Sequence, residues 1–456
     1  MNDNNLGQKQ TNLKVKPSRR KSKTAAVIFI IFAAILVSLP LIFKSMYSSK
    51  SDIIIKQVIA EQLKKDPNEL TKDDFTQVTR LSFVGKELSD IRLLKKCINL
   101  EDLNILNPTV PKSALPKWMK ILEKLHLFNK KSDDIIDLKP IGKLYSIKEL
   151  SISGKSFKNI RPLKNLKNLQ RLSLFGTKSL DIKPLLNLTN MKILFLFDVD
   201  TCDFKYLKNM THLELLTLSK LQINNIEHIN KLKNLQELRI QNTNITNLES
   251  IRSLINLKIL EFDNSLISNL EPIKELISLE RLSISGEDIN NIEPLKELPN
   301  LIDLKLGKSL NYDLSPLKEL INLQKLDVSY TSFKNLELIS GLTNLKSLSI
   351  SSTDVNDLRL IQGFKKLESL FLNENQAFDL KPLVGLENFK SLYIYGNFDI
   401  AFGSMYFHNS VIDFESIKKL KSLKSLMLWN SHLSQEQKEE LEKANPNLKV
   451  SLGGSS

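Results

Sequence analysis

The chain has 456 residues, of which 41% are apolar and 25% charged, a composition that excludes a wholly disordered protein. The formal net charge is +14, but residues 1–50 hold nine basic side chains and one acid. A nucleic-acid-binding protein would be expected to carry its basic excess on the folded surface, so this distribution argues against nucleic acid as a partner. Two lone cysteines, Cys97 and Cys202, argue against a disulfide scaffold and a metal site.

The first predicted element is a membrane-spanning helix at Ala25–Phe43. This uncharged run is 19 residues long, enough for a helix to cross the hydrocarbon core of a bilayer. The basic tail, residues 1–24, would stay in the cytoplasm by the positive-inside rule, which places the rest of the chain in the periplasm or at the cell surface. The alternative is a cleaved signal peptide, but the run is long for one and no good small-residue cleavage site follows it. We therefore expect a single-pass membrane anchor.

Helical caps are expected on both sides of the central part of the chain. In residues 44–77, a linker leads into an amphipathic run from Asp52 to Lys65, and Thr71 with Asp74 predicts a second helix start. In residues 431–456, Ser434 with Gln437 reads as a capping box for a helix that ends near Ala444. A last strand through Leu448 and Val450 should follow that helix.

A 22-residue repeat fills residues 78–430. With Leu235 as position 1, Leu238 is position 4 and Ile240 is position 6, and the same frame recurs with three extra residues before Ile147 and twelve before Leu423. The sixteen frames begin at Val78, Leu100, Leu122, Ile147, Leu169, Met191, Leu213, Leu235, Leu257, Leu279, Leu301, Leu323, Leu345, Leu367, Phe389 and Leu423.

The pattern inside each repeat predicts a strand followed by tight turns. Apolar residues at positions 4 and 6 indicate a strand with one buried face, and the strands of successive repeats should stack into a parallel sheet. Apolar residues at positions 11, 14, 17 and 20 suit 3₁₀ turns, and a proline at position 16 can begin such a turn. The bulkier turn side should curve the array with its strands on the inner, concave face. Cys97 falls at position 20 and is expected in the core.

This frame resembles the 22-residue class of the leucine-rich-repeat family, which is found in bacterial internalins and in some eukaryotic phosphatase regulators. The resemblance implies an α/β solenoid, a curved array of parallel strands with short helical or 3₁₀ turns on the convex side, here preceded by one transmembrane helix. It also implies binding and not catalysis. No nucleophile, zinc or phosphate-binding motif appears in the sequence, so we expect neither enzymatic activity nor a cofactor.

Two groups of apolar side chains fall on the predicted inner face, at positions 3, 5 and 7, where the middle repeats carry charges of alternating sign. Contiguous exposed apolar groups usually mark an interface. The group that we name the N-terminal patch consists of Phe175, Ile193, Phe195, Phe197 and Leu215. The group that we name the C-terminal patch consists of Phe371, Tyr393, Tyr395, Met427 and Trp429.

The insertion at Asn397–Asp413 is rich in aromatic residues and adjoins the C-terminal patch. It could fold over that patch or bind a partner itself. The sequence thus predicts a membrane-anchored protein that recognises a protein or a cell-envelope ligand through its inner face. The alternative is a regulator that docks on an enzyme such as a phosphatase. Because those relatives are cytoplasmic, the segment Ala25–Phe43 argues against it.

Overall fold

The computed structural model describes residues 50–86, 88–106, 136–153, 157, 159–176, 181–263, 266–285, 289, 291–307, 313–373, 375, 379–395, 413–429 and 433–453. Within them, 17 strands run parallel to their neighbours. The strands are β1 Arg80–Ser82, β2 Asp102–Ile105, β3 Glu149–Ser153, β4 Arg171–Phe175, β5 Ile193–Phe197, β6 Thr201–Asp203, β7 Leu215–Asn224, β8 Glu237–Thr243, β9 Ile259–Asp263, β10 Arg281–Ser285, β11 Asp303–Gly307, β12 Lys325–Asp327, β13 Ser347–Ser349, β14 Ser369–Phe371, β15 Ser391–Tyr395, β16 Ser425–Trp429 and β17 Lys449–Gly453.

Among the described residues, four α-helices flank or interrupt this array, and short 3₁₀ helices join most strands. The α-helices are α1 at residues 50–63, α2 Lys72–Gln77, α3 Phe414–Lys419 and α4 Gln435–Ala444. The 3₁₀ helices are Arg92–Lys96, Ile141–Lys143, Arg161–Asn165, Lys183–Asn187, Phe204–Tyr206, Ile226–Lys231, Glu249–Ile251, Glu271–Glu275, Glu293–Glu297, Ser315–Glu319, Leu336–Ile339, Arg359–Gly363 and Lys381–Leu383. Proline is the second residue of six of them, so it lies in the first turn, as expected for position 16; these are Pro162, Pro184, Pro272, Pro294, Pro316 and Pro382.

The register of the sheet stacks equivalent repeat positions on one another. Leu238 in β8 pairs with Leu216 in β7 and with Leu260 in β9, and all three side chains are fully buried. Burying one such leucine contributes about 1.5–3 kcal/mol, so each repeat is stabilised mainly by the two repeats beside it. Cys97 is also fully buried, as position 20 predicts.

Two ladders of Asn and Asp side chains fix the turns, and the sequence analysis did not anticipate either. At position 22 the Asn side-chain amide donates to a backbone carbonyl 23 residues earlier, as Asn300 does to Ile277 at 2.9 Å. At position 13 the side-chain oxygen of an Asn or Asp accepts a hydrogen bond from the backbone N–H two residues later, as Asp357 does from Arg359 at 2.8 Å. These bonds satisfy backbone groups that the 3₁₀ turns leave unpaired.

The frame predicted at Leu122 has no strand between β2 and β3 among the described residues. Strand β2 pairs directly with β3, and Leu103 lies opposite Leu150. Ser113 and Pro116 occupy positions 14 and 17 of the preceding frame, where other repeats carry core residues. Residues 136–146 supply that turn instead, with Ile141 and Leu144 fully buried. Residues 107–135, which hold most of the Leu122 frame, lie outside the described residues, so the three-residue insertion stays a prediction.

The helices at the two ends begin as the sequence predicts. Thr71 and Asp74 form a capping box at α2, and Ser434 and Gln437 form one at α4, which ends at Ala444. Helix α1 packs through Ile55 and Ile59, whereas Ile53 is 54% exposed. In the part of the chain that the structure describes, no helix is long and apolar enough to cross a membrane. The segment predicted to do so, Ala25–Phe43, lies outside that part.

Candidate functional site

The side chains at positions 3 and 5 of the strands point away from the core, as predicted, and with those at position 7 they form what we call the open face of the sheet. In its middle, charges of adjacent strands pair. Arg239 contacts both Glu237 and Glu261, and Arg281 donates to Asp303 at 3.0 Å. The charges therefore satisfy one another across the ladder, and this part of the open face is a polar, solvated surface.

The N-terminal patch gathers on β5 and its neighbours. Ile193, Phe195 and Phe197 are half-buried on one strand, and Leu215 lies opposite Ile193 on β7. The ammonium group of Lys220 lies 5.5 Å from the centroid of the Phe197 ring, within the range of a cation–π contact. The patch is thus a partly exposed apolar surface on adjacent strands.

A polar group missed in the sequence lies beside this patch. Thr217 pairs with Phe195 across the ladder. Its hydroxyl is buried and has no hydrogen-bond partner among the described residues. A buried hydroxyl without a partner is costly, so the packing beside Phe195 leaves one polar group unsatisfied. In the sequence, only the position of Thr217 in the frame, opposite Phe195, could have indicated this group.

Phe175 corrects one site prediction, because its side chain is only 2% exposed. Its predicted place in the same column as Phe197 is confirmed, with ring centroids 6.3 Å apart and ring planes tilted by 45°. The next residue, Gly176, has φ +69°, and position 8 is also left-handed in six other repeats. Ser153 and Ser219, at the same position 7, are buried as well, whereas Phe197 stays half-buried. Phe175 therefore supports the patch from below and does not form its surface.

The C-terminal patch is a continuous column on β14, β15 and β16. Phe371, Tyr393 and Met427 are half-buried at position 5 of these adjacent strands. The Phe371 and Tyr393 rings are stacked, with centroids 4.2 Å apart and planes within 4° of parallel. Tyr395 and Trp429 pair through their backbones in the next column. Most of the adjoining insertion, with its aromatic residues, lies outside the described residues.

A row of serines runs beside this aromatic column and was missed in the sequence. Position 3 is serine in four consecutive strands, and all four side chains are half-buried. These are Ser347, Ser369, Ser391 and Ser425. None of their hydroxyls has a hydrogen-bond partner among the described residues, so they are available to a ligand. Recurrence of one polar residue at one frame position was the signal that could have revealed the row.

Titratable groups in the described residues offer little chemistry. Burial raises the pKa of the Cys97 thiol to about 12, and burial with nearby Asp203 raises the pKa of Cys202 as well. Both thiols are free and buried, so they are poor nucleophiles. His212 lies on the outer flank, with its Nδ1 3.3 Å from the carbonyl oxygen of Thr189. The described ranges contain no group of three or more His, Cys, Asp or Glu that could hold a metal ion.

No protein-family model and no curated protein matches the chain, whereas many solved structures do. An internalin, InlF of Listeria monocytogenes, is 25% identical over 76% of this chain and 96% of its own, with a TM-score of 0.60. A leucine-rich-repeat protein of Leptospira interrogans is 20% identical over 83% of this chain and 97% of its own, with a TM-score of 0.56. The functional domain of InlJ from Listeria monocytogenes is 15% identical over 84% of this chain and 80% of its own, with a TM-score of 0.52. The repeat frame, the parallel sheet and these similarities show a leucine-rich-repeat fold that is similar to that of the internalins.

Proposed function

We propose that this chain is a membrane-anchored recognition protein, with the repeat domain outside the cytoplasm and the partner bound on the open face of the sheet. The similarity to an internalin supports recognition over catalysis. The anchor and the topology rest on the apolar run Ala25–Phe43 and the basic tail before it.

The observation that carries this proposal is the change in the open face after β12. On β8–β12 charged side chains pair across the strands, as Lys305 does with Asp327 at 3.4 Å. On β13–β16 the residues at positions 3 and 5 are serine, Phe371, Tyr393 and Met427, and none carries a charge. An uncharged surface with partly exposed aromatic rings and free hydroxyls is typical of an interface core.

The ring geometry favours a polypeptide over a glycan as the partner. Phe371 covers one face of the Tyr393 ring, and Met427 lies on the strand beyond its other face. The Tyr393 ring therefore presents mainly its edge to a partner, whereas a sugar stacks on the face of an aromatic ring. Ring edges carry partial positive charge and suit carbonyl oxygens or the faces of other rings, which a polypeptide provides.

Protease protection tests the proposed topology. With a tag placed after Ser456, intact cells or spheroplasts are treated with protease from outside. Digestion of the tag, in a chain that sediments with membranes, would agree with the proposal. Protection of the tag would put the repeat domain in the cytoplasm and make the enzyme-regulator alternative the leading one.

Site-specific photo-cross-linking in the host tests the binding surface. Benzoylphenylalanine replaces Tyr393 in one variant and Lys305, in the ion-paired part of the face, in the matched control. We expect a discrete adduct of higher mass from position 393 and none from position 305. Equal labelling from both positions, or none from position 393, would contradict the proposed surface. A protease-sensitive adduct identifies a polypeptide partner, and a protease-resistant one identifies an envelope polymer.

A further inference from the structure

The outer edge of β17 is unpaired in the part of the chain that the structure describes. In this sheet the N–H groups at even positions of the repeat donate to the following strand, as Ile350 does to the carbonyl of Phe371 at 3.1 Å. Odd positions bond to the preceding strand, as the N–H of Lys449 does to Lys424 at 2.9 Å. The N–H and C=O groups of Val450 and Leu452, at even positions of β17, therefore point outward.

An apolar side chain is exposed at the same edge. Leu452 is 38% exposed, whereas Leu428, its register partner on β16, is fully buried. In every earlier repeat the next strand covers this position, and β17 has no next strand among the described residues. An edge with free backbone groups and an exposed leucine is a template for pairing with another strand.

We propose that β17 pairs with β17 of a second copy of this chain, antiparallel and about a twofold axis through Ser451. Val450 then lies opposite Leu452 of the second copy, and each pair can exchange both backbone hydrogen bonds. The Leu452 side chains of both copies lie on the core side of the joined sheet, where each helps to cover the other's exposed apolar edge. Such self-complementary contacts are characteristic of twofold dimers.

Charge decides between this dimer and a head-to-tail filament. In a filament, β17 would pair with β1 of the next copy in parallel, and the repeat register would place Lys449 beside Arg80. Like charges directly opposite each other in a sheet are destabilising. In the antiparallel dimer, Lys449 lies opposite the uncharged Gly453 of the second copy. The sequence of the two edges therefore favours the closed dimer over the open filament.

The dimer would also join the two open faces. Directly opposed residues of an antiparallel pair point to the same side of a sheet, so Ser451 of both copies lies on the joined open face. Met427 pairs with Ser451 within each chain. The two C-terminal patches would thus be separated by only three strand spacings, about 14 Å, and could hold one bivalent partner.

Disulfide trapping of the full chain in detergent micelles tests this pairing. On the twofold axis the two Ser451 Cα atoms would be about 4.5 Å apart, within the range of a disulfide. We expect Ser451→Cys to give a disulfide-linked dimer on mild oxidation with copper phenanthroline. The buried native cysteines, Cys97 and Cys202, should not contribute. Lys449→Cys is the matched control, because its two copies would lie about 14 Å apart and should not cross-link.

Leu452→Pro tests the backbone bonds. The N–H it removes points outward and takes no part in the fold, and proline is tolerated at sheet edges. In the Ser451→Cys background it should abolish the dimer band without changing the circular dichroism, whereas Leu452→Ala should retain the band. An uncross-linked Ser451→Cys variant, or equal cross-linking of Lys449→Cys, would overturn the proposal. So would preferential cross-linking of Ser451→Cys to Ser82→Cys chains, which would mark the filament.

Discussion

The rings of Phe371 and Tyr393 stack on adjacent strands, with centroids 4.2 Å apart and planes within 4° of parallel. Their backbones are register partners in the ladder, so the strand spacing itself sets the distance between the rings. The stack therefore stiffens the C-terminal patch before any partner arrives, and ordering of these side chains on binding should cost little.

A double-mutant cycle measures this stack. Phe371→Ala, Tyr393→Ala and the double variant are compared by urea unfolding. Aromatic pairs contribute about 0.5–1.5 kcal/mol beyond their buried area. The sum of the losses in unfolding free energy of the two single variants should therefore exceed the loss of the double variant by about that amount. Strictly additive losses would mean that the rings do not interact in solution.

The frame also predicts that alanine substitutions at a core position and at an open-face position lower the free energy of unfolding by very different amounts. Leu238 is fully buried at position 4, and its replacement by alanine should cost about 2–5 kcal/mol. Phe195 is half-buried on the open face, so Phe195→Ala should cost clearly less. Urea midpoints of the two variants check this order. A loss at Phe195 as large as that at Leu238 would mean that the open face is covered there.

Phe197→Ala should lower the free energy of unfolding more than Phe195→Ala does. Its ring contacts both the buried ring of Phe175 and the ammonium group of Lys220. We expect a loss of stability between those of the Phe195 and Leu238 variants, because removing the ring also uncovers Phe175. The same urea unfolding series measures it, and a loss no larger than that of Phe195→Ala would contradict the support role given to Phe175.

Most of the fold was predictable because it repeats. Positions 4 and 6 bury their side chains in strand after strand, so a single periodic signal fixes the sheet, its register and the open face. The signal is weaker around Leu122. Its frame matches at positions 1, 4 and 6, but Ser113 and Pro116 stand where other repeats carry core residues in the turn before it, and β2 pairs directly with β3. A frame must therefore be judged together with the turn before it.

The candidate site was predictable only in part. The columns of both patches follow from the frame, as the pairing of Phe371 with Tyr393 confirms. Phe175 is buried and Phe197 is half-buried, although each stands at position 7 before a left-handed residue, Gly176 or Asp198. The frame treats the two positions alike, so the sequence could not show that Phe175 is covered.

The asparagine side chains at position 22 should each contribute to the stability of the fold. Asn256 and Asn300 donate to backbone carbonyls at the same 2.9 Å distance, two repeats apart. Replacing either by alanine should cost about 0.5–1.5 kcal/mol, the usual net contribution of one hydrogen bond. The losses should add in the double variant, because the two sites share no partner. No loss at either site would show that water replaces these bonds without cost.

The N-terminal cap should weaken at low pH through Asp74. This carboxylate is buried, lies 2.6 Å from the ammonium group of Lys65, and accepts hydrogen bonds from Thr71. The bond from Lys65 and those from Thr71 lower the pKa of Asp74 from 3.8 to about 2. The stabilisation is therefore complete above about pH 5 and is lost as the pH falls through 3.8 towards 2, because protonation removes the charge that these donors bind. Thermal unfolding measured between pH 5 and pH 2 should show this loss in the natural chain. Asp74→Asn should be less stable at neutral pH and show a smaller change over the same interval. An equal pH dependence in both proteins would mean that other carboxylates control the acid sensitivity.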